Sequence, residues 1–306
     1  MVHTEDELKQ MQSLPLEAKV QMTKARIKAW YDHWDGDVYV SFSGGKDSTV
    51  LKHIVESIYP DVPCVYVNTG LEYPEVRSFA LHQKNVVRLD PKMKFYDVIE
   101  RYGYPVVSKE QAQFLYEARN TKSEKLKAIR LYGRPGTHNG KISEKWKFLL
   151  DAPFEISHKC CDVMKKEPAK QYEKETGRKP IVGTMAYESR LRASNWKRYG
   201  CNAFTKARPT SQPMSFWTEQ DVLRYIVENR LEIATVYGEI KENDKGLLEL
   251  SGCHRTGCIF CMFGVHLDAT PNRFQRLRHT HPRQYQYCIE QLGLGKVLDF
   301  MGIDYE

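Results

Sequence analysis

Residues 38–67 read VYVSFSGGKDSTVLKHIVESIYPDVPCVYV. An apolar run at 38–42 meets a polar loop with two glycines. Next comes a stretch in which Val50, Leu51, Ile54, Val55 and Ile58 share one helical face, and then a second apolar run at 64–67. Two strand-like runs joined by an amphipathic helix do not form a hairpin. They predict parallel strands joined by a right-handed crossover. The pattern repeats, with helical sequence at 74–84, a strand at 85–89 and a later strand at 180–184. The predicted fold class is therefore α/β, a parallel sheet with helices on both faces. Ligands of such sheets bind outside the carboxyl ends of the strands. The polar loops 43–48, 68–72 and 183–192 each follow a strand and are predicted to meet there.

The rest of the chain departs from this rhythm. A helix is predicted at 16–34, with Gly36 as its stop signal, and it makes 1–36 an N-terminal helical segment. The α/β domain is predicted over 37–230, with a helical insertion at about 105–150. Thr218-Glu219-Gln220-Asp221 has capping-box spacing and opens another helix. Residues 228–251 read as a polar connection. The segment 231–306 is cysteine-rich and ends in basic helical sequence, including RFQRLRHTHPR. A charged content of 28% against 41% hydrophobic suits a soluble globular chain, and no apolar run is long enough to cross a bilayer. The polar N-terminus is unlike a secretory signal, so the expected location is cytoplasmic. The net charge of +7 is compatible with anionic partners, nucleic acid among them.

The loop Ser43-Gly44-Gly45-Lys46-Asp47-Ser48 lacks the earlier glycine of a Walker-type P-loop, since position 40 is valine. It still has the parts of an anion site. The glycines let the main chain approach a ligand. The following helix offers free N–H groups, Ser43 and Ser48 offer hydroxyls, and Lys46 supplies a point charge.

SGGKDS resembles the loop of the PP-loop ATP pyrophosphatase superfamily, the adenine nucleotide alpha-hydrolase-like fold. NTGLEYPEV (68–76), GYPVVSKEQ (103–111), GTMAYESRLRA (183–193) and PMSFWTEQDVLRYI (213–226) are similar, in order, to segments of the phosphoadenosine phosphosulfate (PAPS) reductase family. The resemblance covers about residues 37–265 and extends to the DNA phosphorothioation branch. It implies ATP or another adenine nucleotide held by Ser43, Gly44, Gly45, Lys46, Asp47 and Ser48, with Thr69, Gly70, Gly183, Glu188, Arg190 and Arg192 lining the same cleft. Lys46 and Asp47 are the catalytic candidates there: Lys46 stabilises phosphate charge and Asp47 helps place Mg²⁺. The family's aspartate before Thr-Gly is here Asn68. Its phosphate-side arginine is here Met185, for which Arg190 could substitute.

Five of the eight cysteines are grouped: Cys160-Cys161, then Cys253, Cys258 and Cys261. In a cytosolic chain such grouping points to metal or redox chemistry, and sulfur-rich ligation suits zinc or an iron–sulfur cluster. The pattern resembles the assimilatory adenylyl sulfate (APS) reductases. That resemblance implies a [4Fe–4S] cluster on Cys160, Cys161, Cys258 and Cys261. Cys253 then either replaces Cys160 as a ligand or is a free thiol for sulfur chemistry, which makes it a third catalytic candidate. The reductases' C-terminal nucleophilic cysteine has no counterpart after Cys288.

The leading expectation is an enzyme that uses ATP to activate an oxygen for replacement by sulfur. A nucleic acid would be the acceptor (DNA backbone or a tRNA base) and a cysteine desulfurase the sulfur donor. The alternatives are an APS or PAPS reductase that makes sulfite, and a redox-sensing subunit that binds nucleotide or nucleic acid. A homo-oligomer or hetero-complex is expected.

Overall fold

In the computed structural model, which describes residues 3–137 and 139–306, the chain opens with two helices. These are α1 (Glu5–Gln12), capped by Thr4, and α2 (Leu16–His33). Strand β1 (Val38–Phe42), helix α3 (Lys46–Glu56), β2 (Cys64–Val67), α4 (Pro74–His82) and β3 (Val86–Leu89) follow. Then come three helices, α5 (Phe95–Tyr102), α6 (Lys109–Asn120) and α7 (Glu124–Tyr132). Helix α8 (Glu167–Thr176) leads to β4 (Lys179–Val182), and α9 (Arg190–Tyr199) leads to the short strands β5 (Asn202–Ala203) and β6 (Thr210–Ser211). Helix α10 (Glu219–Glu228) precedes the strands β7 (Ile240–Glu242) and β8 (Leu248–Leu250). Helices α11 (Arg273–Thr280), α12 (Pro282–Gln286) and α13 (Leu294–Phe300) complete the order.

The fold is α/β. The main sheet has the order β3-β2-β1-β4-β6-β5, parallel except for β5 against β6. Val40 pairs in register with Cys64 on one side and with Ile181 on the other. The strand order therefore reverses at β1, which opens a crevice at the carboxyl ends of β1 and β4.

Boundaries differ from expectation in three places. Helix α3 begins at Lys46 rather than at 48, because Gly44 turns the chain at φ 73° and Gly45 is already extended. Strand β4 is Lys179–Val182 rather than 180–184. The supposed connection 228–251 contains the antiparallel pair β7–β8, paired from Ile240↔Leu250 to Glu242↔Leu248.

The chain divides into two compact units. The first comprises Met1–Asn68, Glu72–Asp90 and Pro168–Thr256 and holds the main sheet. Its core is built on Trp30, Val40, Ile54, Tyr66, Ile181, Phe216 and Trp217, each 2% exposed or less. Full burial of side chains like these stabilises by about 1.5–3 kcal/mol each. Asp221 fixes α10 twice, closing the capping box with Thr218 and pairing with the buried Lys19 at 2.7 Å.

The second unit comprises Thr69–Leu71, Pro91–Glu167 and Gly257–Glu306. It is helical, with Leu115, Ile142, Leu149, Ile156, Phe274 and Leu294 fully buried or nearly so. The units cut across the linear segments 37–230 and 231–306, because the insertion and the C-terminal helices belong together.

Candidate functional site

The loop at the end of β1 is braced from within. The Ser43 and Ser48 hydroxyls lie 3.1 Å apart, and the Ser48 hydroxyl donates to the Gly45 carbonyl at 2.9 Å. A Cβ at Gly44 would meet the Val76 carbonyl at 2.9 Å, and Gly44 is in the left-handed region, so only glycine fits without strain. A Cβ at Gly45 would crowd the hydroxyls of Ser43, Tyr237 and Thr256 at 3.2–3.4 Å. The amide of Lys46 donates to the Tyr237 hydroxyl at 3.0 Å, and that hydroxyl pairs with Thr256 at 2.6 Å.

Lys46 is only 5% exposed. Its ammonium pairs with Asp47 at 3.1 Å and with Glu219 at 3.5 Å. Burial works against the charge on Lys46, but these two carboxylates outweigh it and hold the pKa above the ordinary lysine value. Burial raises the Asp47 carboxyl above the usual range. Lys46 opposes the rise, while Glu188 and Glu219 add to it. A buried lysine held between two carboxylates at a helix N-terminus suits a site that exchanges internal pairs for phosphate and a divalent cation.

The loop after β4 reaches the same place. A Cβ at Gly183 would stand 3.1 Å from the Asp47 carbonyl. Glu188 accepts from the Met185 amide at 2.9 Å, and its carboxylate pairs with Arg192 and, at 3.3 Å, with Arg255. Arg190 is exposed in the first turn of α9. Met185 is 1% exposed and packs in the apolar core of the first unit. Asn68 accepts from Arg77 at 2.8 Å and donates to Asp90 at 2.7 Å, so its amide is engaged at both ends. Thr69 and Gly70 belong to the second unit, where the Leu71 amide donates to the Thr69 hydroxyl at 3.1 Å.

Cys160, Cys161, Cys258 and Cys261 all belong to the second unit, whereas Cys253 belongs to the first. The Cys161 thiol is pulled down to about 6 by the hydrogen bond from Cys160; burial opposes this, and Lys109 and Lys165 assist it. The same bond, burial and the charges of Cys161, Cys258 and Cys261 push Cys160 up. Burial and Cys258 push Cys261 up to about 11.

The four thiols thus feel one another's charge. Yet among the described residues no three His, Cys, Asp or Glu side chains form a group that could hold a single metal ion. The chain after the Cys160-Cys161 pair is wound as a π-turn, Asp162–Lys166, a form frequent at functional sites. Arg273 braces the other pair, donating to the Cys261 and Phe263 carbonyls at 3.1 and 3.0 Å. Cys253 is half-buried, its thiol 3.0 Å from the Arg255 carbonyl. Cys288 is fully buried, and burial raises its thiol to about 12.

The first unit therefore brings together Ser43, Gly44, Gly45, Lys46, Asp47, Ser48, Gly183 and Glu188, with Arg192 held on Glu188. Sequence reasoning missed Tyr237, Thr256 and Glu219. Glu219 carried a signal, as the residue after the capping Thr218. Tyr237 and Thr256 carried none, standing in or just after a stretch that reads as a connection.

The family model described as the phosphoadenosine phosphosulfate reductase domain matches residues 37–135 and 115–263. Two uncharacterised proteins of Methanocaldococcus jannaschii are similar. One is 26% identical over 239 residues, covering 77% of this chain and 38% of its own length. The other is 25% identical over 276 residues, covering 87% of this chain and 51% of its own. The chain thus spans about half the length of these relatives, or less. A crystal structure of phosphoadenylyl-sulfate reductase from Candida auris, a phosphate complex, aligns at 14% identity and a TM-score of 0.40 over 84% of this chain and 99% of that one.

Proposed function

Because the chain belongs to the phosphoadenosine phosphosulfate reductase domain family, we propose that it is an enzyme of sulfur chemistry. On this reading it binds ATP at the loop 43–48 and activates an acceptor oxygen for replacement by sulfur. The observation that carries this choice is Met185. The family pattern has an arginine there, facing the sulfate or phosphate end of its substrate. Here the side chain is buried in the core and offers no cation, whereas the rest of the anion loop is intact.

Lys46 and the first amides of α3 would hold the phosphates, and Asp47 would place Mg²⁺ with Glu188 or Glu219 near it. An acceptor oxygen attacks the α-phosphorus of ATP, and pyrophosphate leaves. Lys46 stabilises the charge that develops on the leaving oxygens. The terminal sulfur of a persulfide on Cys253 then displaces AMP from the activated acceptor, and an external dithiol reduces the resulting disulfide, releasing the thiolated product and the Cys253 thiol. A nucleic acid is the proposed acceptor and a persulfide-bearing cysteine desulfurase the proposed donor. Cys253, half-buried in the same unit as the loop, is the proposed thiol for receiving that sulfur.

The thiols of Cys160, Cys161, Cys258 and Cys261 fit an iron–sulfur group better than one zinc ion. They lie within one another's electrostatic reach without converging on a point, and a cubane takes each thiolate on its own iron. When bound, the cluster would supply electrons or a sulfur-binding iron. The thiols' own part is to hold it, with Lys109 and Lys165 favouring the Cys161 thiolate.

The family match favours a second reading, reduction of APS or PAPS to sulfite. One experiment separates the two. Anaerobically purified protein is incubated with ATP and, separately, with APS or PAPS plus thioredoxin. Pyrophosphate from ATP without sulfite from either ester supports the first reading, and sulfite production sinks it.

A further inference from the structure

The positive charge is unevenly divided. The first unit holds 25 Lys and Arg against 24 Asp and Glu, and the second holds 21 against 15. Six of the seven net positive charges therefore belong to the smaller, helical unit.

Within it, α7 has no buried residue over nine positions. Leu126, Ile129 and Leu131 are half-buried on its inner side, and Arg130 donates to Glu117 at 2.6 Å and to the Gly140 carbonyl at 2.8 Å and stacks over Phe114 at 4.1 Å. Lys125, Ala128 and Tyr132 lie along one exposed face, and Lys127 stands with Glu124 on its flank, all exposed. Lys125 and Tyr132 are seven residues apart and share that face. Tyr132 is 72% exposed, the most open tyrosine, phenylalanine or tryptophan ring among the described residues. Lys122 and Arg134, also exposed, flank the helix. Of the nearby acids, Glu117 is committed to Arg130 and Glu144 to Lys141 and Lys147, which leaves Glu124 as the acid on the helix itself. No ion pair among the described residues involves Lys122, Lys125, Lys127 or Arg134.

We infer that α7 is a docking surface for single-stranded nucleic acid, in which Lys122, Lys125, Lys127 and Arg134 follow the phosphates and Tyr132 stacks on an unpaired base. Cations alone would suit any polyanion. The ring among them selects the strand, because an exposed aromatic face takes a base only when that base is free of its duplex. A membrane surface would instead need an apolar stripe, and Tyr132 is the one large apolar side chain on this face. The inference shares with the proposed function only the nucleic-acid acceptor. Strand binding without pyrophosphate release, or the reverse, tells failure of one from failure of the other.

The test is fluorescence anisotropy of the full chain with labelled oligonucleotides of about 20 nucleotides, single-stranded and duplex, across a salt series. Polyglutamate and anionic vesicles serve as competitors. Binding to the single strand is expected, with polyglutamate and vesicles competing poorly. Lys125→Gln/Lys127→Gln should lower the slope of log K against log salt by about 1.4, two phosphate contacts at about 0.7 each. Lys125→Arg/Lys127→Arg should retain it. Tyr132→Ala should weaken single-strand binding about tenfold and leave duplex binding unchanged. Circular dichroism of each variant checks that the fold is kept, and the exposure of α7 makes that the expected result. Duplex and single strand bound equally well, indifference to Tyr132, or polyglutamate competing as well as the oligonucleotide would each overturn the inference.

Discussion

The two units handle charge in opposite ways. In the first, the charges that matter are matched around a buried centre: Lys46 between Asp47 and Glu219, Glu188 between Arg192 and Arg255. Its formal balance is 25 against 24. In the second, lysines stand exposed on a helix with no buried residue, and the inward groups are thiols. A site that must exchange ligands keeps its ions paired until the ligand arrives, since an unpaired buried charge costs several kcal/mol. A surface that must attract from a distance keeps its charge uncompensated. The difference separates a place for chemistry from a place for capture.

The largest expected effect tests whether the thiol set is independent of the loop. Cys160→Ser/Cys161→Ser should reduce the iron and acid-labile sulfide of anaerobically purified protein to background while ATP affinity holds. Loss of both together would break the separation.

Lys46→Ala should lower pyrophosphate release from ATP by about 10²–10³-fold with iron content unchanged. A variant that turns over normally would remove Lys46 from the machinery. Gly44→Ala, strained at φ 73° and facing the Val76 carbonyl, should cost about 1–3 kcal/mol, read as a fall in Tm or denaturant midpoint. The smallest effect is expected for Tyr237→Phe. It takes one hydrogen bond from the Lys46 amide, worth about 1 kcal/mol, and titration calorimetry with ATP shows whether nucleotide replaces that bond.

The strand–loop–helix repeat was legible because periodicity is local. Val38–Phe42 and Cys64–Val67 are strands with the bounds their apolar runs suggested. The anion loop was legible because its residues are consecutive. Tyr237 was not, since its partner amide lies 191 positions away and no local pattern encodes that meeting. Nor was the different membership of Cys253 and Cys258, five positions apart yet in different units. Spacing had offered Cys253 as a ligand in place of Cys160. The structure sets it in the unit that carries the phosphate loop.

The chain changes units after Asn68, Leu71, Asp90, Glu167 and Thr256. Neither unit is a continuous piece of polypeptide. To complete the second, residues 91–167 must find 257–306 across a span that belongs to the first, a closure with a long entropic reach. Folding with so many distant contacts is slow, and each unit's formation tethers the loose ends of the other. Truncation at any of the first four crossings would therefore leave both units incomplete, whereas truncation after Thr256 would spare the first, and the chain is expected to unfold in one transition rather than two.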